Sequence, residues 1–161
     1  MGLNIPPLNA SLKPMRKLTL IPILFLLTGC AATVNLEPAE FANDPACAEV
    51  SVRYPDQISE LQKRFTNAQA TAAYGEPARV LVRCGLEPVF ASELPCVTAG
   101  EVDWLVDDSD APNFRFISFG RTPAVEVIVD SESASGVSTL ESLSQSVSRL
   151  AASAFCTEVS N

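Results

Sequence analysis

None of the 161 residues is histidine, so the chain lacks the side chain most often used for acid–base chemistry. Without imidazole there is no Ser-His-Asp or Cys-His nucleophile and no imidazole ligand for a metal. Serines are plentiful, but neither Gly-x-Ser-x-Gly nor Ser-x-x-Lys occurs to activate one. Asp107-Asp108-Ser109-Asp110 gathers three carboxylates in one stretch. It lacks the spacing, glycine and closing glutamate of an EF-hand, so it reads as a solvated turn. Arg121, within Gly120-Arg121-Thr122-Pro123, offers a guanidinium for a carboxylate or phosphate, and Trp104 offers a stacking platform. These two are the candidate contacts for a ligand or partner. Five cysteines complete the inventory: Cys30, Cys47, Cys84, Cys96 and Cys156. No Cys-x-x-Cys is present and the nearest pair stands 12 positions apart, which argues against a redox or zinc site. No metal, cofactor or catalytic residue is expected, and an enzyme is the least favoured reading.

The chemistry that does stand out is at the N-terminal end. Lys13, Arg16 and Lys17 precede an apolar run, Leu18 to Leu27, broken only by Thr19 and Pro22. Ten helical residues rise about 15 Å, half of a bilayer core, so the run is too short for a permanent span and reads as a secretion signal. It ends in Leu27-Thr28-Gly29-Cys30, which resembles the lipobox of bacterial lipoproteins. The resemblance implies cleavage between Gly29 and Cys30 and a diacylglyceryl group on the Cys30 sulfur. Two acyl chains of that kind hold a protein to a membrane with on the order of 20 kcal/mol. Met15-Arg16-Lys17 begins a compact signal, and translation is expected to start at Met15. Residues 1–29 are thus expected to be a signal peptide, with Cys30 anchored at the extracytoplasmic face of the cell membrane.

Export sets the reading of the remaining cysteines. Four thiols outside the cytosol point to two disulfides. Three pairings are open; the Gly- and Pro-containing loop between Cys84 and Cys96 favours joining those two, which leaves Cys47 for Cys156. Charge agrees with an exposed location. All 19 acidic residues but only eight of the 11 basic ones follow Cys30, for a net −11. Such a surface excludes nucleic acid as a partner, because that needs clustered Lys and Arg. An envelope protein partner is compatible with it.

The elements that must position these residues are short. Residues 30–44 are polar and Ala-rich and read as a lipidated tether, a flexible coil of about 20 Å reach. A single domain is expected over 45–161. Asp44-Pro45 provides an N-cap and a first-turn proline for a helix over Ala46 to Val52, which ends at Tyr54-Pro55. Leu61 to Phe65 is expected to add a helical turn, and Tyr74-Gly75-Glu76-Pro77 breaks the chain. Alternation predicts a strand over Arg79 to Cys84, with Val80, Val82 and Cys84 on one face, and another over Val102 to Val106. Asn113 to Phe119 and Ala124 to Val129 form a hairpin around Gly120-Arg121-Thr122-Pro123, which places Arg121 at its tip. Val137, Leu140, Leu143, Val147, Leu150 and Ala154 recur at helical spacing behind a capping box, Ser138-x-x-Glu141. The expected fold is α+β: a small antiparallel sheet of about four strands with helices packed on one face, stapled by disulfides.

Several stretches together resemble Domain of Unknown Function family 3515, small exported actinobacterial proteins. They are Tyr74-Gly75-Glu76-Pro77, Arg83-Cys84-Gly85, Val102-Asp103-Trp104, the run Phe119 to Val127, and the bracketing Cys47 and Cys156. The resemblance implies an envelope lipoprotein with paired cysteines and supplies no catalytic residues. The expected function is a membrane-anchored, non-enzymatic interaction domain. The alternative is a small-ligand or wall-precursor binder using Arg121 and Trp104.

Overall fold

A computed structural model describes residues 1–2 and 32–157. The expected signal segment, the Met15 start and the lipidation site Cys30 lie outside the described residues. Contacts divide the chain into units Met1–Cys30 and Ala31–Asn161, and the fold below is that of the second. Among the described residues no helix is long and apolar enough to cross a membrane.

The domain is mostly β. Its elements run α1 Pro45–Ser51, β1 Gln57–Ile58, β2 Leu61–Arg64, β3 Thr71–Tyr74, β4 Val80–Leu86, β5 Cys96–Ala99 and β6 Val102–Asp107. Then come β7 Asn113–Ser118, β8 Arg121–Thr122, β9 Ala124–Asp130, α2 Gly136–Val147 and β10 Ala151–Ala152. Eight strands form one antiparallel sheet in the order β1-β2-β3-β4-β9-β7-β6-β5, while β8 and β10 pair separately. The expected α+β arrangement on about four strands is therefore corrected: the sheet has eight strands and the two helices only 7 and 12 residues. The strands not expected from the sequence, β1, β2, β3, β5, β8 and β10, are two to four residues long. Polar or Ala-rich sequence over so few positions carries neither clean alternation nor strong β-propensity. Leu61 to Arg64 is accordingly a strand and not a helical turn.

Where alternation is strong, the structure follows it. Val80, Val82 and Cys84 of β4 share one buried face with Val125, Val127 and Val129 of β9 and with Val102 and Trp104 of β6. Cys47 and Val50 of α1 and Leu140, Leu143 and Val147 of α2 belong to the same core. The opposite face carries a smaller cluster around Leu105, Ile117 and Ala124. Helix α1 begins as its sequence dictates, with Asp44 accepting from the Ala46 N–H at 2.8 Å and Pro45 in the first turn. Helix α2 starts one turn before the expected box: Ser135 is the N-cap, its hydroxyl accepting from the Ser138 N–H. It ends at Val147, so Leu150 and Ala154, which share the expected helical spacing, lie beyond it.

The disulfides join Cys47 to Cys84 and Cys96 to Cys156. Both pairings differ from the expected ones, for a reason that lies in the sheet. Cys84 sits on the helix-facing side of β4, whereas Cys96 sits with the opposite cluster, on β5. Strands β9, β7 and β6 intervene, placing β4 and β5 about 19 Å apart when a disulfide needs Cα atoms within about 7 Å.

The segment expected to be a flexible tether is bound to the domain. Val34 bridges Thr66 in parallel register, the Leu36 N–H donates to Asn67 Oδ1 at 2.7 Å, and the Phe41 N–H donates to the Gly85 carbonyl at 2.8 Å. Gly85, at φ +110°, marks the bulge between Cys84 and Leu86 in the β4–β9 ladder, and a Cβ there would overlap the Phe41–Ala42 backbone. Segment and strand touch here because residue 85 has no side chain.

Candidate functional site

Arg121 and Trp104, the candidate ligand contacts, are both buried. The hairpin is present, with β7 and β9 paired from Asn113↔Asp130 to Ile117↔Glu126, but its connection is covered. Strand β10 returns across it, pairing Ala152 with Arg121 and Ala151 with Thr122. Gly120, at φ +66°, leaves room for this return, since a Cβ would collide with the Ala154 backbone. Arg121 is buried beneath the crossing. Its guanidinium donates to the carbonyls of Leu150 at 2.8 Å, Glu101 at 2.7 Å and Ser148 at 3.3 Å. Ser148 is the C-cap of α2, so the arginine satisfies carbonyls left over at and just beyond a helix end. Desolvation lowers its pKa, an effect opposed by Asp103 and Glu101. Trp104 is wholly buried in the main core, and its indole N–H has no hydrogen-bond partner among the described residues.

Other polar groups are committed in the same manner. Glu126 of β9, almost fully buried, accepts from Arg83 at 2.8 Å through Oε2 and from Arg115 through Oε1. One carboxylate thus ties three adjacent strands, β4, β9 and β7, across the face opposite the helices. Sequence reading missed Glu126; a lone acid in an otherwise apolar strand, Ala124-Val125-Glu126-Val127, was the available signal. The Asp107 pKa is lowered by the Ser109 hydroxyl and N–H, with help from Arg115. The acidic turn is therefore an Asp-stabilised turn, and among the described residues no group of three His, Cys, Asp or Glu is placed to hold a metal. Asp130 is lowered by its ion pair with Arg79, at 2.6 Å, and by Ser133.

A concave surface lies at the other edge of the helix-facing side. Between the first turns of α2 and strands β5 to β7 runs an open cleft of about 380 Å³. Phe114 and Phe116, stacked at 6.4 Å between centroids, line it together with Val106, Val97, Val137 and Leu140. Val97 and Val137 are well exposed. Polar groups are confined to Thr98, Ser131 and Ser135, the last of which caps α2. Ser144 pins the far end of the helix by accepting from the Glu101 N–H at 2.8 Å in the β5–β6 turn. Strand β5, beside the cleft, is the terminal strand of the sheet. The cleft can take an apolar group, and the adjoining edge can take a strand.

A family model described as "Protein of unknown function (DUF3515)" matches residues 30–155. The chain belongs to this family. No curated protein and no solved structure matches it. In this DUF3515 chain the stretches that carried the resemblance are architectural. Cys47 and Cys84 bridge α1 to the sheet, Cys156 holds the tail to β5, and Gly85 forms the bulge. The Phe119 to Val127 run supplies Gly120, Arg121 and Glu126, each already committed within the fold. The cleft is built mainly from other residues, and no motif in the sequence announced it, because its walls come from five separated elements, β5, β6, β7, β9 and α2.

Proposed function

We propose that this DUF3515 chain is a non-enzymatic lipoprotein of the cell envelope, anchored at the extracytoplasmic face through diacylglyceryl-Cys30, whose domain binds a protein partner. Leu27-Thr28-Gly29-Cys30 after a charged, apolar leader supports the anchor. The observation that carries the binding reading is the conjunction of an apolar cleft with an unpaired edge strand, β5. An extended segment of a partner laid along β5 gains backbone hydrogen bonds from the edge and buries an apolar side chain between Val97 and Val137. The cleft offers no nucleophile with a base beside it, and the buried Arg121 and Glu126 are used up in holding the fold. Arg121 and Trp104 have no part in this reading.

The test is photo-crosslinking in intact cells from a reactive residue placed at Val97 of the full chain. A protein adduct is expected that disappears in Val137→Glu, which puts a charge at the exposed mouth without touching the core, and in Cys30→Ala. An adduct unaffected by Val137→Glu, or none at all, overturns the cleft as the binding surface. Lack of lipid on Cys30 in the purified native protein overturns the anchor.

A further inference from the structure

The docked N-terminal segment carries a consequence for how the domain meets its membrane. In the mature form only Cys30 and Ala31 stand between the lipid and Ala32, and two residues span at most about 7 Å. Ala32 is clasped at the β2–β3 corner. Its carbonyl accepts from Arg64 Nη2 at 2.6 Å, and the same guanidinium donates to the Gly75 carbonyl at 3.0 Å from Nη1. Val34 continues the clasp, its N–H donating to the Phe65 carbonyl at 2.8 Å and its carbonyl accepting from Asn67. Arg64 is nearly buried by these contacts, its side chain 10% exposed. Phe65, its neighbour, is 82% exposed, the most exposed aromatic side chain in the described domain. A large aromatic side chain exposed to solvent thus stands on backbone that is held close to the point at which the chain leaves for its lipid.

We propose that Phe65 is a membrane-docking residue: in the lipidated protein the β2–β3 corner rests on the outer leaflet and the Phe65 ring enters the headgroup region. The inference rests on lipidation of Cys30. Aromatic rings favour that depth, where an apolar body is buried and the backbone stays wet. Charge does not drive the contact, since the chain beyond Cys30 carries net −11 and an anionic leaflet repels it. Acyl chains and one inserted ring hold the domain in a single orientation, with Phe65 inward. Strand β5 and its cleft, six strands away along the sheet, lie about 29 Å from β2 and remain open to a partner.

The experiment uses the full lipidated protein in vesicles of phosphatidylethanolamine and phosphatidylglycerol with brominated acyl chains, which quench nearby tryptophan. Trp104 is wholly buried and supplies a constant background. Phe65→Trp is expected to emit at shorter wavelength on reconstitution and to be quenched at least about twofold, at low and high salt alike. Phe155→Trp, beside the Cys96–Cys156 bridge at the other edge of the sheet, is expected to stay unquenched. Equal quenching of the two variants, or none of Phe65→Trp, overturns the docking proposal while leaving the anchor intact, provided mass spectrometry finds diacylglyceryl-Cys30. Absence of that lipid overturns both.

Discussion

At the scale of single residues, Arg121 shows how a group suited to recognition can be used for architecture. A guanidinium fixed by three carbonyls from two distant segments is a fastening, and removing it strands acceptors beneath the β10 crossing. Arg121→Ala is expected to cost about 3 kcal/mol, the sum of one or two buried carbonyls left unpaired. Arg121→Lys is expected to recover part of that, since an ammonium reaches fewer acceptors than the planar fork. Urea unfolding of the three proteins measures both values. A change in Arg121→Ala of less than about 0.5 kcal/mol, the ordinary surface response, contradicts the clamp.

At the scale of elements, the two bridges fasten pieces that hydrogen bonding alone holds weakly. Cys47–Cys84 fixes a seven-residue helix to the sheet, and Cys96–Cys156 fixes the edge strand to the tail that covers the hairpin. The bridges close loops of 37 and 60 residues. In the chain-entropy account each stabilises the fold by about 4 kcal/mol. Peptide mapping without reduction is expected to recover Cys47 linked to Cys84 and Cys96 linked to Cys156. Recovery of a Cys84–Cys96 peptide contradicts the topology as well as the bridge, because it requires opposite faces of distant strands to meet. Reduction is expected to lower the urea midpoint strongly, and edge strand β5 with the tail it anchors is expected to open first in hydrogen exchange.

At the scale of the whole molecule, the core holds both of the chain's tyrosines in their neutral form. Burial pushes the Tyr54 and Tyr74 hydroxyls above their ordinary range, reinforced by each other's proximity for Tyr54 and by Asp56 for Tyr74. The Tyr74 hydroxyl donates to the Pro55 carbonyl at 2.9 Å, while that of Tyr54 has no partner among the described residues. The unfolded chain releases these protons near pH 10 and the folded one resists. The tyrosines' contribution to folding stability is therefore complete below that pH and is lost as pH climbs beyond it. Tyrosinate absorbance is expected to rise together with unfolding, in one step above pH 10. A reversible titration near pH 10 in a folded protein contradicts the burial of both.

Features decided within a few residues are legible without a fold. Asp44-Pro45 caps and opens α1, the alternating valines of β4 and β9 choose their face, and Gly120 permits its backbone angle regardless of partner. Absence of histidine and net acidity are likewise settled without a fold. Tertiary structure decided everything that depends on which distant segments meet. Three spacer strands and a reversal of face separate Cys84 from Cys96 and redirect both bridges. A return strand from 30 residues downstream turns the exposed tip Arg121 into an interior clamp. Short strands such as Thr71–Tyr74 become visible only once β4 is beside them, because their hydrogen-bonding partners, not their side chains, make them strands. The apolar cleft has the same origin, its walls separated in sequence and joined only by the packing of α2 over β5, β6, β7 and β9.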